Sequence, residues 1–192
     1  MATVFTPPTN YYDVPVEGDP VAHRIDQLAD VTIFLAGSID MGKAELWQDR
    51  VITELQDQHD VVIFNPRRDD WDSSWEQDIS NPNFSEQVRW EMTHLINHTD
   101  IALFYFDPNG PAPITLLELG LVAPSHEDVI VCCPPGYWRR GNVQIVCDMF
   151  NIPLFDTFEE MMICVKTRIS EIGLPLARPD NVTKIAGIVT RV

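Results

Sequence analysis

Basic residues are scarce: 13 Lys and Arg stand against 29 Asp and Glu, giving a formal net charge of −16. A surface of that sign repels a phosphate backbone, so a nucleic-acid polymer is excluded as the expected partner and a small neutral or locally neutralised ligand fits better. No apolar run is long enough to cross a bilayer, and the first residues lack the basic-then-apolar order of a signal peptide. A soluble, cytoplasmic chain with no membrane partner is the expectation. Cysteine is limited to Cys132, Cys133, Cys147 and Cys164, none in Cys-x-x-Cys or zinc-ribbon spacing, and two of them fall in an apolar strand-like run. That pattern argues for reduced core thiols rather than a metal site or a disulfide frame. Also missing are internal repeats and the glycine-rich or Gly-Lys-Ser loops that cradle phosphates.

What is present is an alternation of short apolar runs and amphipathic segments. At 192 residues the chain suits one domain with a sizeable core. Residues 1–29 carry Pro7, Pro8, Pro15 and Pro20, which break regular elements, and read as an N-terminal arm over the domain. Residues 30–172 form the α/β domain. Residues 173–192 form a C-terminal tail without helical period, in which 185–192 suit an added strand or a contact with a neighbouring subunit.

Within the domain, residues 30–36, 61–64, 101–106, 128–133 and 152–155 are compact apolar runs of the kind buried in parallel sheets. Helices are expected between them: 43–58, where Ala44, Trp47, Val51 and Leu55 share a face; 84–97, with Ser85 as a candidate cap; a short one around 113–120; 141–150; and 157–172. Strand-helix alternation over this length predicts a doubly wound, five-stranded parallel sheet of flavodoxin-like order 2-1-3-4-5 inside a three-layer α/β/α sandwich.

The polar candidates follow the carboxyl ends of the expected strands, which is where open α/β sheets bind ligands. Gly37, Ser38 and Asp40 follow the first strand; Gly37 suits either a close backbone approach to a ligand or a plain turn. The second strand runs into Asn65-Pro66-Arg67-Arg68-Asp69-Asp70-Trp71-Asp72, where Trp71 and Trp75 suggest an aromatic wall for a planar ring. Glu91, His94 and His98 have helical spacing, but no third ligand stands near them and no metal is expected; Glu91 alone is better placed to turn a carboxylate toward the site. Asp107 opens the loop after the third strand, and Asn142 either caps the helix after the fourth or bonds a ligand hydroxyl. Glu118 lies in Pro113-Ile-Thr-Leu-Leu-Glu-Leu-Gly120, at the start of a helix whose dipole favours an ionised carboxylate. Thr115 and Glu118 also have the spacing of a capping box, the competing structural reading.

Four blocks together resemble the nucleoside 2-deoxyribosyltransferase family, in its divergent branch with an Asn-Pro-Arg-Arg-x-x-Trp-Asp loop. They are Phe34-Leu-Ala-Gly-Ser38, Asn65-Pro-Arg-Arg-Asp-Asp-Trp-Asp72, Gln87-Val-Arg-Trp-Glu91 leading to Thr99-Asp100, and Leu117-Glu-Leu-Gly120, with Tyr137-Trp-Arg-Arg-Gly-Asn-Val143 as a looser fifth. The resemblance implies that Glu118 is a nucleophile. It would cleave the N-glycosidic bond of a (deoxy)nucleoside, hold the sugar as an ester, and pass it to another base or to water with retained configuration. It implies a nucleoside or nucleotide and a free nucleobase as ligands, no cofactor, and a homo-oligomer in which Asn142 completes a neighbour's site. Where classical members carry an Asp in an Asp-x-Gly-Thr run, this chain has Ala112, so Asp107 or Asp72 is the expected replacement, while Gly37, Ser38, Asn65, Arg67, Trp71 and Glu91 are expected to bind substrate. The alternatives are a nucleoside 5'-monophosphate N-glycosidase and a nucleotide-binding module without catalysis.

Overall fold

The computed structural model describes residues 1–8, 31–39, 44–68, 72, 74–125 and 128–173. The expectations for the rest of the N-terminal arm, for Asp40, Asp69, Asp70 and Trp71, and for the tail beyond 173 lie outside the described residues. Strands β1 (Thr3–Phe5), β2 (Val31–Gly37), β3 (Val61–Phe64), β4 (Ile101–Tyr105), β5 (Asp128–Cys132) and β6 (Leu154–Phe155) form one sheet. The helices are α1 (Trp47–Leu55), α2 (Pro82–Asn97), α3 (Pro113–Val122), α4 (Arg140–Phe150) and α5 (Phe158–Ile172).

All strand pairs are parallel, in the order β1-β3-β2-β4-β5-β6. The inner five keep the expected flavodoxin-like order. The expectation of five strands is corrected by β1, which sits at the edge beside β3 with Phe5 opposite Phe64. Thr-Val-Phe is a good strand former just ahead of the Pro7 break, so the prolines confine this strand to three residues without preventing it.

Alternation along each strand divides the core. Phe34 and Ala36 of β2 face one way, into a cluster with Trp90 and Leu95 of α2, Leu119 of α3 and Val143 of α4. Ile33 and Leu35 face the other way, onto Trp47 and Val51 of α1 and Met161 and Val165 of α5. Each such large apolar side chain contributes about 1.5–3 kcal/mol of burial. Cys132, Cys133 and Cys147 are free thiols inside this core, and burial pushes their ionisation well up, as inert core thiols require.

Helix starts follow local chemistry. Asn81, not Ser85, caps α2, its side chain accepting from the N–H groups of Asn83 and Phe84, with Pro82 at the first helical position. Thr157 caps α5, its hydroxyl accepting from the Glu160 N–H and donating to the Glu160 carboxylate. α3 begins differently: its cap residue is Ala112, in the left-handed region at φ 40°, with no side-chain cap. Thr115 is therefore inside the helix, and the capping box expected for Thr115 and Glu118 is absent. Asn142 is likewise the third residue of α4, after an Arg139 cap, and does not cap it.

Candidate active site

Three groups of polar residues lie at the carboxyl edge of the sheet. The first joins β2 to β4. Ser38 extends the ladder by donating its N–H to the Tyr105 carbonyl, its Oγ accepts from the Asp107 N–H at 3.0 Å, and its carbonyl accepts from Trp47 Nε1 at 3.1 Å. Trp47 stacks on Tyr105 with ring centroids 5.2 Å apart. A Cβ on Gly37 would stand 2.4 Å from the Trp47 ring and 2.7 Å from the Tyr105 carbonyl, so glycine at this position is required by the packing of α1 on the sheet. Asp107 is buried and its carboxylate accepts from Asn109 N at 2.8 Å, Asn109 Nδ2 at 3.1 Å and Glu45 N at 3.4 Å.

The second group is the loop after β3. Asn65 is buried, donates its N–H to Phe5 and accepts from the Arg67 N–H at 3.0 Å, an Asx turn that redirects the chain. Arg67 Nη1 reaches Gln48 Oε1 at 3.4 Å and the Glu45 carbonyl at 3.5 Å, linking this loop to the first group. Arg68 lies over the Trp75 ring at 5.3 Å and donates to Gln87 Oε1 at 3.4 Å. Asp72 is exposed; its pKa is held below the ordinary range first by the Ser74 side chain and then by the Ser74 N–H, from which its carboxylate accepts at 2.8 Å. No described contact carries Asp72 toward Glu118.

Glu91 and Glu118 are the third group. Glu118, in the second turn of α3, is buried at 5 % exposure, and burial first, then the charge of Glu91, raises its pKa well above the ordinary value. The expectation that the helix dipole would favour the ionised form is reversed: desolvation of a carboxylate buried this deeply outweighs a partial charge felt mainly in the first turn. Glu91 on α2 is half-buried, and its pKa is raised to about 7 by desolvation, opposed by a 2.8 Å hydrogen bond from Gln87 Nε2. Glu91 is thus near enough for its charge to act on Glu118, and desolvation disfavours the ionised form of each.

Gln87, at 3 % exposure, is the residue that the reading of single motifs passes over. Its Nε2 donates to the Pro66 carbonyl at 2.9 Å as well as to Glu91, and so ties the loop to the helix. Its position four residues before Glu91 was the available signal, since residues so spaced share a helix face. His94 serves packing, with Nδ1 on the Trp90 carbonyl and its ring 4.2 Å from that of Trp90. Among the described residues no group of three or more His, Cys, Asp and Glu side chains gathers as a metal site.

Asn142 stands apart from these groups. It is exposed on α4 and lines, with Leu116, Leu119, Gly120, Arg139, Val143 and Val146, a groove of about 300 Å³ between α3 and α4. Arg139 packs over exposed Trp138 at 4.1 Å, whereas Arg140 is tied to the Cys133 carbonyl and to Asp156.

A parallel sheet with helices on both faces defines the class of protein: a doubly wound α/β domain, in which ligands are expected at the carboxyl edge. The chain belongs to the nucleoside 2-deoxyribosyltransferase-like family, whose family model, "nucleoside 2-deoxyribosyltransferase like", matches residues 30–137 and so takes in Glu91 and Glu118. Among curated proteins no match to the chain is found. No helix among the described residues is long and apolar enough to cross a membrane.

Proposed function

We propose that the chain cleaves the N-glycosidic bond of a nucleoside or nucleotide by double displacement, with Glu118 as nucleophile and Glu91 as the acid that serves the leaving base. The observation that supports this reading is the placement of two carboxyl groups, buried Glu118 on α3 and half-buried Glu91 on α2, within electrostatic reach of each other and both raised in pKa by burial. Transfer of the proton from Glu118 to an ionised Glu91 leaves Glu118 ionised, and its oxygen attacks C1' of the sugar. The C1'–N bond breaks, its electron pair goes to the base nitrogen, and that nitrogen takes the proton from Glu91. In the second half an incoming base attacks C1', the ester oxygen leaves with its electrons on Glu118, and Glu91 accepts the proton released by the incoming nitrogen. Water in place of the base gives hydrolysis. Asp72 and Asp107, whose carboxylates serve their own turns, are assigned to loop geometry in this scheme, with Ser38 and Gly37 supporting the same edge. Asn65 and Arg67 shape the loop that would face the sugar and base.

Assembly enters through Asn142. It shares a face of α4 with exposed Ile145 and Met149, next to exposed Ile114, Leu117 and Leu121 on α3, an apolar surface suited to a second copy that would bring its own Asn142 to a neighbouring site. Incubation with deoxyinosine and adenine, followed by chromatography of the bases, reads transfer, and omission of the acceptor reads hydrolysis. Absence of both exchange and release across nucleosides and their 5'-monophosphates, together with thermal stabilisation by the same compounds, would replace this reading with a binding module.

A further inference from the structure

Gln87 Nε2 carries two hydrogens and both are directed: one at the Pro66 carbonyl, 2.9 Å away, and one at Glu91 Oε1, 2.8 Å away. Its Oε1 accepts from Arg68 Nη1 at 3.4 Å. At 3 % exposure the amide has almost no access to water. Turning it over would set its oxygen against the Pro66 carbonyl and the Glu91 carboxyl oxygen, and its hydrogens against the Arg68 guanidinium. The Pro66 carbonyl can only accept and the Arg68 guanidinium can only donate, so these two contacts give the amide one workable orientation.

We infer that Gln87 is a positioning residue: by holding Glu91 Oε1 as a hydrogen-bond acceptor, it confines the proton of Glu91 to Oε2 and fixes the oxygen from which the leaving base is served. The inference rests on the reading of Glu91 as the acid of the pair. A carboxyl whose protonated oxygen could exchange freely would present the proton in the right place only part of the time. Clamping Oε1 removes that freedom and leaves one oxygen in the donating role. Because Gln87 also holds Pro66, the clamp ties the position of the loop after β3 to the orientation of Glu91. The hydrogen bond further opposes the effect of burial on Glu91, and so keeps its proton transferable near neutral pH. The described titratable and charged groups at this point are Glu118 from α3, Glu91 from α2 and, one hydrogen bond removed through Gln87, Arg68 from the loop; Arg67 turns away to Gln48 and Glu45.

The test is a titration of the full chain labelled with carboxyl-13C glutamate, read by NMR with and without Gln87→Met, which keeps an unbranched side chain and removes both donors. The Glu91 midpoint should rise by about half a unit to one unit as its donor is lost. The pH profile of base exchange should move in the same direction, with kcat lowered about tenfold and KM little changed. In the unaltered protein, the Gln87 side-chain amide signals should follow a titration with the midpoint of Glu91, a measurement that needs no variant to fold. A Glu91 midpoint that is the same with and without Gln87, or amide signals that ignore its titration, overturns the inference whatever the assay shows. A displaced midpoint in a chain that exchanges no bases supports the clamp and instead counts against the proposed reaction.

Discussion

Asp72 and Asp107 sit in loops, Glu91 and Glu118 on helices packed against the sheet, and the two settings treat a carboxylate in opposite ways. The loop acids accept from nearby N–H groups, Ser74 for Asp72 and Asn109 with Glu45 for Asp107. Glu91 has one such donor, Gln87, and Glu118 is buried within reach of the Glu91 charge. An acid whose oxygens accept turn N–H groups fixes a loop shape. An acid buried with few donors is costly to ionise, and that cost is the reservoir from which proton transfer and nucleophilic attack can draw. In the proposed reaction, chemistry belongs to the helices and scaffolding to the loops.

The strongest way to break it is Glu118→Gln. The amide keeps the shape of the side chain but cannot form the sugar ester, so base exchange should fall by at least about a thousandfold while the fold persists. Chromatography of base exchange measures the first, and far-ultraviolet circular dichroism the second. Unaltered turnover would remove Glu118 from the mechanism. Next in size is Glu91→Gln. Its oxygen can still accept from Gln87, but the transferable proton is gone, and a loss of about a hundredfold is expected. A substrate with a better leaving base should recover part of that loss, because it asks less of the acid. An equal deficit for good and poor leaving bases would count against Glu91 as the acid.

The pair also has a thermodynamic signature. Glu91 has a folded pKa of about 7 against an ordinary value of 4.5, so the folded chain binds more protons than the unfolded one between those values. Its contribution to stability is complete below pH 4.5 and is lost as pH rises through 7, by at most about 3 kcal/mol. Glu118, raised in the same direction, adds a loss of the same sign. Urea unfolding at pH 5 and pH 8 should therefore show a fall in stability that is distinctly smaller in Glu91→Gln. That variant removes the Glu91 charge and with it the repulsion that Glu118 feels. A fall of equal size in both proteins would mean that the pair is better solvated than its burial indicates.

Much of the frame was legible in the residues alone. Ile33 and Leu35 against Phe34 and Ala36 announce a strand buried on both faces, and the strand-helix alternation orders the inner sheet. β1 was hidden because three residues carry no measurable period, and the prolines after it dominate the local signal. Glu118 was visible through its motif, but the upward shift of its pKa was not. A dipole argument needs only the helix start, whereas desolvation depends on what α2 and the sheet bring around the side chain, which is tertiary information. The same limit concealed the part played by Gly37, whose neighbour Trp47 comes from the following helix, and the link from Gln87 to the Pro66 carbonyl.

The smallest effect belongs to the loop side of the comparison. Asp72→Asn retains an oxygen able to accept from the Ser74 N–H and removes only a charge that is fully exposed, in a chain that already carries a large negative excess. Water screens such a charge, and no described contact connects it to the pair. Base exchange should fall no more than about threefold, and any change should appear in KM rather than kcat, because a surface loop can alter the approach of substrate without touching the reacting bond. Steady-state rates over a range of nucleoside concentrations separate the two. A drop in kcat comparable to that of Glu91→Gln would mean that the loop closes onto the pair when substrate binds, and would move Asp72 from scaffold to catalyst. The division between loop acids and helix acids would then describe only the ligand-free chain.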